Sequence, residues 1–191
     1  MTPPLTLNPS YPLCVDLDGT LILGDVTWLM WKGLFHRHPV KAICVLLKVI
    51  QGRGTFKYAL MTMCDRYAPL CVKTLPYNLP FIHFLKRCKT EGMSIYLVTA
   101  ADARIANQIA EEIGFFDGVM GSSPRHNLRA KAKADALIER FAQNQFHYAG
   151  NSKDDLKVWS VCCEKIAVNA PQSVLDQAKK QGIHFSYLFP H

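Results

Sequence analysis

From about Asn78 to the end, short apolar runs alternate with stretches of helical length, and that rhythm leaves few folds open. Asn78 and Pro80 open a helix to Lys89, closed by a Glu91-Gly92 turn. MSIYLVT (93–99) is strand-like, and the helix after it, from about Asp102 to Ile113, stops at Gly114. A short strand near Gly118 to Met120 comes next, then a helix from about Ala130 to Phe141, the strands FHYAG and IAVNA, and a helix from Pro171 to Lys180. IHFSYLF closes the chain. Strands that alternate with helices pair in parallel, with helices over both faces of the sheet. One further strand comes early: LCVDL, Leu13 to Leu17, an apolar run that breaks at an Asp-Gly turn.

Between this first strand and the second lies a block that reads as helix throughout. Thr27 to Phe35 is aromatic-rich; Pro39 suits the first turn of a second helix running to Ile50; Thr55 suits the cap of a third, FKYALMTMCDRY. The division expected is a core of residues 11–24 and 76–191, a helical insert at 25–75, and a disordered or extended lead at 1–10. The pattern around Val40 to Ile50 suits either a membrane surface or a buried helix, and burial is the expectation.

At 49% hydrophobic and 19% charged, the chain has the balance of a soluble globular protein. No stretch reaches the roughly 18 uninterrupted apolar residues of a membrane span. The opening MTPPLTLNPSYP lacks the basic start and apolar centre of a signal peptide. Seven cysteines without a CxxC pair argue against both a disulfide framework and zinc, and so for a reducing, cytoplasmic setting. Charge is uneven. From Asp25 to Thr90 there are eleven Lys/Arg against two acids, Asp25 and Asp65. Such an excess faces an anionic partner or is a solvated helical face.

In open parallel sheets, functional groups gather in loops after the strands. Four such places carry chemistry. DLDGT sets two carboxylates, Asp16 and Asp18, one residue apart before Gly19, which permits a tight turn, and Thr20. Thr99, followed by Ala100, puts a hydroxyl where a phosphate oxygen could sit. NLRAKAKADAL clusters Arg129, Lys131 and Lys133 at a helix start. GNSKDD brings Asn151, Asp154 and Asp155 into a loop, where by themselves they read as helix-capping residues. The dispersed His36, His38, His83, His126 and His147 suggest no ligand set.

This ordered set resembles the haloacid dehalogenase superfamily of aspartate-nucleophile phosphatases, over about residues 11 to 188. More narrowly, CVDLDGTL, TLPYN, LVTAAD and YAGNSKDDLKVW are similar to the phosphatase-like domain fused ahead of membrane prenyltransferases of the UbiA type. Ending at His191, the chain is expected to be a free-standing relative or an excised domain. The resemblance implies an α/β, Rossmann-like core with a mainly parallel sheet and an inserted all-helical C1-type cap. It implies Mg2+ and a small phosphorylated substrate, with a prenyl or sugar phosphate suggested by a basic cap rich in Trp28, Trp31, Phe35, Phe56 and Tyr58. Cap-internal packing of these aromatics is the competing reading.

The same resemblance implies the roles. Asp16 is the nucleophile that forms an aspartyl-phosphate, and Asp18 the general acid and base; Thr99 and Lys133 hold the phosphate. Gly19, Thr20 and Ala100 line the phosphate site, and Asp16, Asp18, Asn151 and Asp155 hold the metal. Lys131 and Arg129 stand as alternatives to Lys133, and Asp154 as a spare carboxylate. Asn151 departs from the family pattern, which has an acid there, and this implies weaker metal binding. The alternative function is a catalytically weakened module that binds a phosphorylated ligand or docks on a membrane prenyltransferase, which would put it at the inner face of a membrane. Nucleic-acid binding is not expected, since no motif for it is present.

Overall fold

The structure is a computed structural model that describes residues 7–190. The early strand is β1, Leu13–Val15. The alternating half supplies β2, Ile95–Asp102, β3, Gly118–Ser122, β4, His147–Gly150, β5, Lys165–Val168, and β6, Tyr187–Phe189. All pair in parallel, in the order β3-β2-β1-β4-β5-β6. The chain's closing stretch is therefore a sixth strand. Strand order reverses between β1 and β4, and in open α/β sheets the crevice outside the carboxyl ends at such a reversal is where ligands bind.

The pleat sorts the core into two layers, because successive side chains point to opposite faces. Leu13 and Val15 pack with α4, Leu79–Thr90, and α5, Ala103–Ile113, through Phe81, Leu85, Ile105 and Ile109. Cys14, between them, faces the other layer with Tyr148, Leu137 of α6, Lys131–Phe141, and Val174 of α8, Gln172–Lys180. Trp159 and Leu156, from the short helix α7, Leu156–Trp159, complete that layer. Local signals set the ends. Asn78 and Asp102 accept backbone N–H groups of Phe81 and Arg104 and cap α4 and α5, and Gly114 ends α5 in the left-handed conformation.

Between β1 and β2 the chain forms α1, Val26–Arg37, α2, Pro39–Leu46, a 3-10 turn over Leu47–Gln51, and α3, Arg53–Tyr67. Thr55 does not cap α3. The helix begins three residues earlier, after Gly52, and the Thr55 hydroxyl bonds back to the Gln51 carbonyl. The expected burial of the Val40–Ile50 helix is overturned. Ala42 and Val45 are buried, while Val40, Ile43, Leu46, Leu47 and Ile50 are exposed. No helix among the described residues is long and apolar enough to cross a membrane. Residues 1–6 of the N-terminal lead lie outside the described residues. From Leu7 the lead is tied down: Leu7 is buried, and the Asn8 carbonyl lies 2.9 Å from His147 Nε2.

Candidate active site

Asp16 follows β1 directly, and its N–H donates to the Ala149 carbonyl of β4 at 2.9 Å, so the nucleophile candidate sits where strand order reverses. It is almost wholly buried. Lys133 projects from α6 beneath it, its Nζ 2.7 Å from Asp16 Oδ1, 2.9 Å from the Tyr148 hydroxyl and 3.5 Å from Asp155 Oδ1. Tyr148 in turn donates to Asp155 Oδ1 at 2.7 Å. A buried ammonium held by two carboxylates and a phenol is fully engaged. Burial would lower the Lys133 pKa, but Asp16 and Asp155 outweigh it and raise it. Burial pushes Asp16 up to about 7 against the pull of Lys133, with the Asp155 charge adding to the rise. Asp18, under burial and the nearby Asp25, is raised to about 6, although it accepts the Val26 N–H at 2.7 Å.

The GNSKDD loop divides its labour. Both Asp155 oxygens are engaged within the protein: Oδ1 with Tyr148 and Lys133, and Oδ2 with the Asn151 N–H at 3.1 Å, the Ser152 N–H at 2.9 Å and the Ser152 hydroxyl at 2.8 Å. Burial raises its pKa, yet Lys133, Tyr148 and Ser152 together hold it below the ordinary value. Asp155 thus closes the loop and orients the lysine, with both of its oxygens hydrogen-bonded to protein groups. Asn151, Ser152 and Asp154 of the loop line the cavity, and the Asn151 Oδ1 is buried without a partner. A lone amide oxygen in that position beside two carboxylates fits a hard cation that takes oxygen ligands. Among the described residues there is no group of three or more His, Cys, Asp or Glu placed to hold a metal ion.

Gly19 has φ +77°, and a Cβ there would lie 1.9 Å from Asn151 Nδ2. Only glycine lets the DLDGT turn approach the second loop this closely. Asn169 fixes the turn from the end of β5, its Nδ2 3.2 Å from the Gly19 carbonyl. Thr20 and Thr99 are both buried and neither is among the residues lining the cavity; the Thr20 hydroxyl has no partner. Thr99 lies within β2, which runs on to Asp102 through an irregular register with β3. Its hydroxyl oxygen accepts the Ala101 N–H at 2.9 Å, leaving its proton to donate elsewhere.

A cavity of about 490 Å³ opens over Asp16 and Asp18, lined also by Ala100, Lys133 and Asn151. Arg129 and Asp154 form an ion pair at its rim. Lys131 points away to Asp135 at 2.8 Å and is exposed, so of the three basic candidates Lys133 alone meets the Asp16 carboxylate. The insert contributes Asp25, Thr27, Arg53 and Lys57 to the wall. None of its expected aromatics lines the cavity: Trp31 and Phe56 pack against the core, and Trp28, Phe35 and Tyr58 are exposed. Lys57 donates to the Ala100 carbonyl at 2.5 Å, and burial lowers its pKa. Arg53 and Lys57, four apart on one face of α3, were legible as a basic pair in a helix whose one acid, Asp65, lies near its far end. Tyr148 gave no signal, being one aromatic in an apolar strand.

With this geometry in hand, likeness to known proteins is informative. No family model matches the sequence. An uncharacterized protein of Sinorhizobium fredii, y4nM, is 32% identical over 94% of the chain, which spans only 34% of that protein's length. A phosphoserine phosphatase solved as a phospho-aspartyl intermediate analogue superposes with a TM-score of 0.63 at 15% identity, covering 96% of this chain and 95% of the other. A haloacid dehalogenase-like hydrolase of Streptococcus pneumoniae gives 0.59 at 19% identity, covering 94% and 93%. This is the haloacid dehalogenase fold. A Bordetella pertussis protein of unknown function superposes with a TM-score of 0.70 at 14% identity, covering 93% of this chain and 97% of its own. In the haloacid dehalogenase fold as this chain builds it, the parallel sheet carries the carboxylates and the helical insert walls the pocket.

Proposed function

We propose that the chain is a Mg2+-dependent phosphomonoesterase that works through an aspartyl-phosphate. The observation that carries this reading is the Asp16 carboxylate: it stands at the strand-order reversal, is oriented by Lys133 at 2.7 Å, and shares one cavity with Asp18 and the partnerless Asn151 oxygen. An oxygen of Asp16 attacks phosphorus as the bond to the leaving alcohol breaks, and Asp18, raised to about 6, gives that alcohol its proton. Asp18 then takes a proton from water as the water oxygen bonds to phosphorus and the Asp16–phosphorus bond breaks, releasing inorganic phosphate. Lys133 and the Thr99 hydroxyl offset charge on the phosphoryl oxygens. Asp16, the Asp18 carbonyl and Asn151 Oδ1 would hold Mg2+, which supplies further positive charge at the phosphoryl group.

Arg53 and Lys57 narrow the substrate. Two cations lining the same cavity as the nucleophile suit a second anionic group, a carboxylate or another phosphate, on a small phosphomonoester such as a sugar phosphate. The pocket wall has no aromatic from the insert to hold a prenyl chain.

Hydrolysis of an aryl phosphate with and without Mg2+, beside Asp16→Asn, tests the activity. Metal-dependent turnover that falls by about 10⁴-fold or more in the variant is expected, and equal turnover in both would end the reading. A second reading rests on Asn151, since an amide in place of an acid removes one negative charge from the metal site. On it, the chain binds a phosphorylated ligand without useful turnover, and a membrane prenyltransferase is a candidate partner. Asn151→Asp separates the two: activity gained only on restoring the acid favours the weakened module.

A further inference from the structure

We propose that the insert docks on an anionic lipid surface through the outer face of α1, α2 and the 3-10 turn after it. The inference is independent of any catalytic activity.

The α2 stretch is apolar on two sides, and only one has a partner. Ala42 and Val45 are buried against the insert's other helices, while Val40, Ile43, Leu47 and Ile50, spaced as one helical stripe, stand 72%, 52%, 61% and 87% exposed. Burying one side has used the packing that the fold offers, so a second apolar stripe in water is a cost with no return inside this chain.

An aromatic ladder on α1 adjoins this helix. Trp28 stacks on Trp31 at 5.2 Å and Trp31 on Phe35 at 5.1 Å, with the Trp31 indole donating to the Ala42 carbonyl of α2 at 3.2 Å. Trp28, at the outer end, is 58% exposed. Indole rings with one apolar and one polar edge suit the headgroup level of a bilayer.

Charge decides among the possible occupants. From Val26 to Cys64 there is no acid, while Lys32, Arg37, Lys41 and Lys48 are distributed through α1, α2 and the turn. A second copy of this face would bring like charges together, which disfavours self-association. An anionic bilayer meets both features at once: the stripe and Trp28 enter the interface while the lysine stems lie along it and their ammonium groups reach phosphate oxygens.

The test is co-sedimentation of the full chain with phosphatidylcholine vesicles, with and without phosphatidylglycerol. Binding to the anionic vesicles is expected, weakened by salt and reduced on the order of tenfold without the anionic lipid. Ile43→Glu with Leu47→Glu should abolish it, and Lys32→Glu with Lys48→Glu should weaken it, with unfolding midpoints unchanged since all four side chains are exposed. Any of three results would overturn the proposal: no binding of the native chain to anionic vesicles, undiminished binding by the stripe variant, or a native dimer that the stripe variant converts to monomer without vesicle binding.

Discussion

The sheet's carboxyl edge and the helical insert treat polar and apolar groups in opposite ways. At the edge, charge is buried and paired, as in the Lys133, Asp16, Tyr148 and Asp155 cluster. The insert leaves cations in the cavity and an apolar stripe in solvent. The edge therefore couples stability to site geometry, whereas the insert can alter binding at little structural cost. Two carboxylates share one buried lysine, so neither can be changed without disturbing the other. Arg53 is exposed while lining the cavity, and nothing of the core depends on it.

Breaking that contrast starts with Lys133→Ala, which leaves two buried carboxylates without their cation and should cost about 3–5 kcal/mol, read from urea unfolding. Loss below about 1 kcal/mol would show that the cluster is not the strut described. Gly19→Ala should cost about 1–3 kcal/mol, because the new methyl group meets Asn151 in a backbone conformation that disfavours alanine. It should also depress turnover, since it pushes apart the two loops that carry Asp18 and Asn151.

His147 offers a smaller, pH-dependent effect on the same side of the contrast. Burial depresses its pKa, and its Nε2 lies against the Asn8 carbonyl. The folded chain thus prefers the neutral ring. Its contribution is complete above about pH 6.5, the ordinary value for histidine, and is lost as pH falls through the depressed folded value. Thermal unfolding from pH 7.5 to 5 should show the native chain losing more stability than His147→Gln, which has no ring to protonate. The smallest stability effect is on the insert: Arg53→Ala should stay within about 0.5 kcal/mol while raising KM for a substrate with two anionic groups. A large stability loss there would erase the distinction between the regions.

Much of the fold was legible because each strand and helix carries its own punctuation. Asn78-Leu-Pro opened α4 and Gly114 ended α5 where the sequence predicts. Errors came where neighbours override local preference. Pairing with β3 carries β2 past Thr99 to Asp102, and α3 begins before its apparent cap at Thr55. The same holds at the site. DLDGT and the family resemblance named Asp16, Asp18 and Lys133 as candidates, with Lys131 and Arg129 as alternatives to the lysine, and the first three line one cavity with Asn151. Asp155 read as a metal ligand, and no local pattern showed that Tyr148, Ser152 and Lys133 would hydrogen-bond to its oxygens.

By itself the sequence determined the alternation of strand and helix, the helical stretch between the first two strands and the residue types at the strand ends. These follow from periodicity and from turn chemistry, which act over a few neighbours. Tertiary structure alone decided which carboxylate oxygens stay free, which lysine reaches Asp16, and which side of α2 remains uncovered. Each depends on groups far apart in the chain, up to 117 residues for Lys133 and Asp16, competing for the same buried partners. Local pattern names the candidates for a site, but only packing settles which of their atoms are already spent.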